Sequence, residues 1–236
     1  MRANGRLVSI VSFIIAVAAF LLLTSVAIVW AGGLTYDPRT HTFNQTSMIV
    51  VDETVSGAQV FLNNHLISET TPYNIRYLNP GEYDLKVSKD GFVACEKTYT
   101  LARGQVAEFA PVLIATKPTV SKVAAADAPT YIESNNFDFG LSLYNGELLD
   151  YGTLKTRFTA SPVQVRRFGE NYVYQTGNEL RFLDLSSNND TLIYAAPTSA
   201  PQKIVIDEGN WQVFIYSDDG TITRIDLQVP SAASAS

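Results

Sequence analysis

The chain has 236 residues, 46% of them hydrophobic, with a formal net charge of −6 and one cysteine, Cys95. A lone cysteine excludes an intrachain disulfide, so every domain must be held by packing alone. A net-negative surface repels phosphate backbones, which argues against nucleic acid as a partner, and it is also pushed away from anionic lipid headgroups.

Leu7 to Trp30 is a run of 24 residues without a charge. At a rise of about 1.5 Å per residue such a helix spans roughly 36 Å, enough to cross a hydrocarbon core of about 30 Å with some tilt. Fifteen of the 24 are Leu, Ile, Val or Phe. At about −0.3 to −0.6 kcal/mol each near the centre, their insertion is favoured by at most about 5 to 9 kcal/mol. A soluble core helix would show a polar stripe, and this run has none. A cleavable signal peptide has a shorter apolar stretch, about 7–15 residues, although Val29-Trp30-Ala31 is a passable cleavage site. Residues 7–30 are therefore read as an uncleaved transmembrane helix whose partner is the lipid bilayer. Arg2 and Arg6 precede it, and no basic residue follows until Arg39. Basic residues stay inside, so residues 1–6 are expected to be cytoplasmic and the rest extracytoplasmic, in a single-pass protein of the cell membrane. Trp30 and Tyr36 fall where an outer aromatic belt would lie.

Residues 31–46 read as a polar stalk. Without the two N-terminal arginines, 15 basic residues face 23 acidic ones, so the outer part carries −8. It holds most of the 12 Tyr and 12 Phe, which with Val, Ile and Thr is strand-forming chemistry. Residues 47–115 form a string of short alternating runs. Met48 to Val51 is apolar. Ala58 to Leu62 alternates and ends at Asn63-Asn64, a turn pair. Tyr73 to Leu78 and Tyr83 to Val87 flank Asn79-Pro80-Gly81-Glu82, which predicts a type II turn and a hairpin. Asp90-Gly91 and Arg103-Gly104 mark further turns, with strands at Glu96 to Leu101 and Val106 to Leu113. Six short strands suggest a small β-sandwich.

These residues carry a resemblance. Gly57-Ala58-Gln59-Val60-Phe61-Leu62-Asn63, Thr71-Pro72, Leu78-Asn79-Pro80-Gly81-Glu82-Tyr83 and Lys89-Asp90-Gly91-Phe92 are similar, in order and spacing, to the PEGA domain. Two positions depart: Asn63-Asn64 replaces a glycine-containing loop, and Phe92 stands where Tyr is commoner. The resemblance implies a small extracytoplasmic β-sandwich, often beside a membrane anchor in surface or envelope proteins, with no catalytic residues.

Residues 116–130, rich in Ala, Pro, Thr and Ser, read as a linker. Residues 131–229 hint at repetition. Glu170 to Leu185 parallels Asn210 to Leu227, each a strand, a glycine turn and a strand ending in Asp-Leu. The turn glycines Gly177 and Gly220 lie 43 residues apart, a propeller-blade spacing. Leu141 to Asp150 is a weaker third copy around Gly146. A propeller needs about four blades of four strands, more than this length supplies. A partial propeller, a layer of repeated hairpins, an assembly completed by another chain, and two unrelated hairpins all remain open. Exposed strand edges would invite self-association. Residues 230–236 read as a disordered tail. The fold class is thus all-β outside the membrane, a small β-sandwich plus antiparallel, blade-like hairpin repeats, with one N-terminal transmembrane helix.

Chemistry is sparse. His41 and His65 stand apart from other ligand-type residues, so no metal site is read. No nucleophile elbow, phosphate-binding glycine loop or cofactor motif is present. Asp184 and Asp226 are the best carboxylate pair, but their equivalent repeat positions favour a structural role over glycoside hydrolysis. Asn44-Gln45-Thr46 and Asn189-Asp190-Thr191 fit the glycosylation sequon. No catalytic, cofactor-binding or metal residue is assigned. Tyr172, Tyr174, Tyr194, Trp211 and Tyr216 are the candidate binding surface, because such rings stack on sugars and dominate interfaces. Most of them are nonetheless expected to serve the core. The reading is a non-enzymatic, membrane-anchored envelope protein. Its PEGA-like module is a spacer or adaptor, and its C-terminal β-region contacts a protein or glycan. A sensor or assembly subunit docking onto a membrane complex is the alternative.

Overall fold

The structure, a computed structural model, describes residues 3–31, 34–37, 42–52, 55–130 and 138–230. It is mostly antiparallel β-structure behind one N-terminal helix. The helix α1 (Ala3–Ala31) contains an 18-residue stretch, Val11–Ile28, that is long and apolar enough to cross a membrane and has no buried residue. A membrane anchor and a signal sequence both have this character. The chain then divides into two compact units. One comprises Met1–Val50, Asn74–Tyr83 and Thr98–Glu108; the other comprises Val51–Tyr73, Asp84–Lys97 and Phe109–Ser236.

In the first unit, β1 (Leu34–Asp37) and β2 (Thr42–Gln45) pair antiparallel, Leu34 opposite Gln45. A two-stranded hairpin thus occupies part of the expected stalk. The strand β3 (Ser47–Val51) alternates buried and half-buried residues, as a strand with one covered face should. Ser47 Oγ donates to the Ala102 carbonyl at 2.6 Å, and the Met48 amide to that of Gln105 at 3.0 Å. Gly104 has φ +67°, and a Cβ there would lie 2.6 Å from the Gln45 side chain, so the turn needs glycine twice over.

The remaining strands of the resembling segment are β4 (Gln59–Leu62), β5 (His65–Ser68), β6 (Tyr73–Leu78), β7 (Gly81–Ser88), β8 (Cys95–Leu101) and β9 (Val106–Phe109). They form a three-stranded sheet in the order β6-β3-β9 and a four-stranded sheet in the order β5-β4-β7-β8. The tight β4–β5 turn is Asn63-Asn64, both left-handed at φ 49° and 64°. Asn tolerates that region better than other residues with a side chain. One expectation fails. Strands 73–78 and 83–87 are not hairpin partners, because β6 and β7 belong to different sheets. Gly81 has φ +158°, nearly extended, and not the roughly +80° of a type II turn. The alternation fixed which face of each strand is apolar; it could not fix which neighbour each would choose.

In the second unit, three antiparallel sheets follow. Strand β10 (Pro118–Val123) lies in the expected linker, yet it pairs in register with the last strand. Its Thr-Val-Ser-Lys-Val run suits an edge strand, which the small-residue composition around it concealed. The first sheet is β11 (Leu141–Tyr144), β12 (Glu147–Asp150) and β13 (Thr153–Arg157). The second runs β14 (Gln164–Phe168), β15 (Asn171–Thr176), β16 (Glu179–Asp184), β17 (Asn189–Ala195). The third joins β18 (Lys203–Asp207), β19 (Gln212–Tyr216) and β20 (Ile222–Pro230) to β10. The paralleled hairpins around Gly177 and Gly220 are β15–β16 and β19–β20, the central pairs of two four-stranded sheets. The weaker copy around Gly146 is β11–β12.

The middle sheet is covered on both faces. Phe168, Val173, Leu180, Phe182 and Ile193 pack with Ile204, Val213, Ile215, Ile225 and Leu227 of the third sheet. Val165, Tyr172, Tyr174 and Leu183 pack with Leu141 and Leu148 of the first. Strand β15 is accordingly buried at five of its six positions, Asn171 to Gln175. Val112 and Ile114, just beyond β9, enter the larger of these clusters. There the carboxylate of Asp184, 2% exposed, accepts the Val112 amide at 3.3 Å, the Ser186 amide and hydroxyl at 2.8 Å, and the Ser187 hydroxyl at 2.5 Å. Asn189 Nδ2 donates to the Ala94 carbonyl at 2.9 Å and contacts Cys95 Sγ at 3.4 Å. The Ala115 amide donates to the Leu227 carbonyl, and Gly91 leaves just enough room for Pro230.

Two outcomes follow from this packing. Asp184→Ala leaves the buried Val112 amide and the half-buried donors of Ser186 and Ser187 without their acceptor and should cost about 2–4 kcal/mol, lowering the thermal midpoint followed by circular dichroism by on the order of 10 °C. Burial, reinforced by the charge of Asp184 and opposed by hydrogen bonds from Ser187 and Asn189, pushes the Cys95 thiol up to about 11. The native chain should therefore resist iodoacetamide at pH 8 and react once unfolded. Stability owed to the neutral thiol is complete below the ordinary thiol pKa of about 8.5 and is lost as pH rises toward 11.

Candidate functional site

Alternation along β15 sends Tyr172 and Tyr174 to the same face, and each hydroxyl meets a carboxylate that an arginine also holds. Tyr172 donates to Asp150 Oδ2 at 2.8 Å, while Arg167 Nη2 lies 2.5 Å from Asp150 Oδ1. Tyr174 donates to Asp190 Oδ2 at 2.6 Å, and Arg181 Nε to Asp190 Oδ1 at 2.9 Å. Arg181 also holds Glu179 Oε2 at 2.8 Å. Burial raises both phenol pKa values, and the neighbouring carboxylates raise them further. Burial alone would raise Asp150; the hydrogen bonds from Arg167 and Tyr172 outweigh it and leave the carboxyl below its ordinary range. The phenols stay neutral donors and Asp150 stays a charged acceptor, which makes these clusters rigid polar posts.

One of them floors a cleft of about 430 Å³. Its walls come from Thr156–Ala160, at and just beyond the end of β13, and from strands β15, β16 and β17. The Phe158 ring packs against Tyr174 with centroids 4.6 Å apart, and Phe158 lines the cleft together with Thr156, Thr159 and Thr176. The charged side chains are Arg157, Glu179, Arg181 and Asp190. Arg157 is paired with Glu147 at 2.8 Å. A smaller hollow of about 210 Å³ lies beside Pro201, Lys203 and Tyr216.

The five rings chosen from the sequence are dispersed. Tyr172 and Tyr174 are buried, with 2% and 4% exposure. Tyr194 and Trp211 are half-buried against the larger core, and Trp211 stacks on Phe168 at 5.0 Å. Tyr216 is half-buried and donates its hydroxyl to the Pro129 carbonyl. Of the five, Tyr174 lines the 430 Å³ cleft and Tyr216 the 210 Å³ hollow. Among the described residues the exposed rings are others: Phe139, Tyr144 and Tyr151 around the first sheet, Tyr73 and Tyr77 of β6, and Phe13 and Phe20 of α1. Tyr151 lies in the two-residue turn Tyr151-Gly152 and Tyr144 flanks the turn Asn145-Gly146, both with positive φ throughout; that turn chemistry was the available signal.

Asp184 and Asp226 serve structure. Asp226 accepts Gln212 Nε2 at 2.6 Å and Arg224 Nε at 3.1 Å, so each acid is committed to neighbours, Asp184 at the end of β16 and Asp226 in the middle of β20. The Asn189 amide is engaged with Ala94, so a glycan there would break that bond. His65 is exposed at the start of β5, while His41 and the six-residue end of the tail lie outside the described residues. Among the described residues no group of three or more His, Cys, Asp or Glu is placed to hold a metal.

Residues 46–116 match the PEGA domain family. No curated protein matches the chain. A crystal structure of BcpA, the major pilin subunit of Bacillus cereus, aligns over 78% of this chain and 85% of that one, at 10% identity and a TM-score of 0.26. That likeness is too low to assign a shared fold.

The lowered Asp150 pKa has a consequence in acid. Its contribution to stability is full above the ordinary carboxylate pKa near 4 and is lost as pH falls through the lower folded value. Urea midpoints measured from pH 6 to pH 2 should fall more steeply for the wild type than for Asp150→Asn; parallel curves would refute the assignment.

Proposed function

We propose that this is a membrane-anchored, non-enzymatic surface protein whose β-rich outer part makes contacts outside the cytoplasm. The observation that carries the reading is the PEGA match over residues 46–116, in a chain whose N-terminal helix is apolar and uncharged over membrane-spanning length. In that arrangement α1 holds the chain in the bilayer, with residues 1–6 inside. The PEGA-like segment acts as spacer or adaptor, and the three-sheet region beyond it contacts a protein or glycan. The placement of the acidic groups supports a binding role over catalysis. Asp150, Asp184, Asp190 and Asp226 are each committed to hydrogen bonds from their own fold. A carboxylate so committed is a poor proton shuttle and a good fixed acceptor.

Cell fractionation with protease added to intact cells tests this. The full chain should pellet with membranes, resist carbonate extraction, and lose its outer part to external protease. A chain lacking residues 7–30 should be recovered in a soluble fraction. Recovery of the intact chain from the cytoplasm would overturn the reading.

A further inference from the structure

The cleft beside Tyr174 has a definite chemical character. Its volume of about 430 Å³ falls within the roughly 300–1,000 Å³ of small-molecule clefts. Its cations have fixed partners, since Arg181 is shared by Glu179 and Asp190 and Arg157 is held by Glu147. Arg157, Arg181, Glu179 and Asp190 balance in formal charge, so the cleft carries no net charge to select an ion, and a neutral ligand suits it.

Hydrogen-bonding capacity is left over. An ionised carboxylate offers about four lone-pair sites, and Asp190 spends one on Tyr174 and one on Arg181. The hydroxyls of Thr156, Thr159 and Thr176 donate and accept, and Glu179, half exposed, has an oxygen free of the Arg181 contact. Phe158 adds an apolar ring among these polar groups. Fixed acceptors, rotatable hydroxyls and one aromatic ring are complementary to a molecule with many hydroxyls and an apolar C–H face.

We propose that this cleft binds a neutral saccharide, with Asp190 accepting hydrogen bonds from sugar hydroxyls, the threonines completing the polar contacts, and Phe158 meeting the ring's C–H face. The assignment rests on the reading of the C-terminal β-region as the contacting part, and it selects glycan over protein as the ligand of this site.

The test uses the full chain in lipid nanodiscs on an array carrying mannose, glucose and N-acetylglucosamine oligosaccharides, with glucuronate- and sialate-containing glycans beside them. Neutral glycans should be retained and acidic ones not. Thr159→Arg, at an exposed position on the cleft wall, should weaken retention at least tenfold with an unchanged thermal midpoint. Phe158→Ala should weaken it as well, and Tyr216→Phe, beside the smaller hollow, should leave it unaltered. Absence of neutral-glycan retention, retention confined to acidic glycans, or retention indifferent to Thr159→Arg would each overturn the assignment. If the array is blank while fractionation still finds an anchored chain facing outward, the cleft assignment falls and the wider reading stands. Neutral-glycan retention by a chain found outside the membrane would leave the cleft assignment standing and remove the anchor.

Discussion

Two-sided burial of the sheet β14–β17 is the constraint on which the second unit depends. A sheet covered on both faces cannot alternate apolar with polar, and β15 shows the result in Asn171-Tyr172-Val173-Tyr174-Gln175, where no residue faces water. The aliphatic residue of this strand goes to one face and its two tyrosines to the other. The first face meets the third sheet through Phe168, Phe182 and Ile193; the second meets the first sheet through Leu141 and Leu148. With no disulfide available, this layered apolar contact is what opposes the chain entropy of the unit.

Burying polar groups in such a stack requires that they be satisfied. Tyr172 and Tyr174 bring hydroxyls into the second face, and each is met by an aspartate that an arginine charge-balances. Gln175, fully buried, donates to the carbonyls of Gly177 and Ala200, and its own side-chain oxygen accepts from Gln164 and from the Gln202 amide. These bonds tie the 197–202 connection to the sheet. The rings of Tyr172 and Tyr174 belong to the core, and Tyr174 also lines the cleft.

The segment after β9 links the PEGA-matching residues to this core within the second unit. Val112 and Ile114 contribute apolar side chains to it, and the Val112 amide ends on Asp184. Strand β10 then pairs with β20, so the beginning and end of residues 118–230 share one sheet. Such a closure resembles a clasp, since opening the third sheet requires breaking a contact between residues about a hundred apart in sequence. Three sheets remain fewer than the four or so blades that a closed propeller requires.

The sequence by itself determined the elements whose signal is local. The charge-free run predicted a long apolar helix, alternation predicted strands, the Asn-Asn pair marked the end of β4, the glycine turns marked β15–β16 and β19–β20, and the ordered motifs at 57–63, 71–72, 78–83 and 89–92 identified the PEGA resemblance; β5 was not read. Only the tertiary structure decided partners. It separated β6 from β7, moved residues 118–123 from linker to sheet, placed Tyr172 in the core, and brought Asp190 to Arg181 and Tyr174 beneath Phe158. The reason is physical: periodicity records which face of a strand is apolar, whereas the neighbour that covers that face lies far along the chain and leaves no local mark.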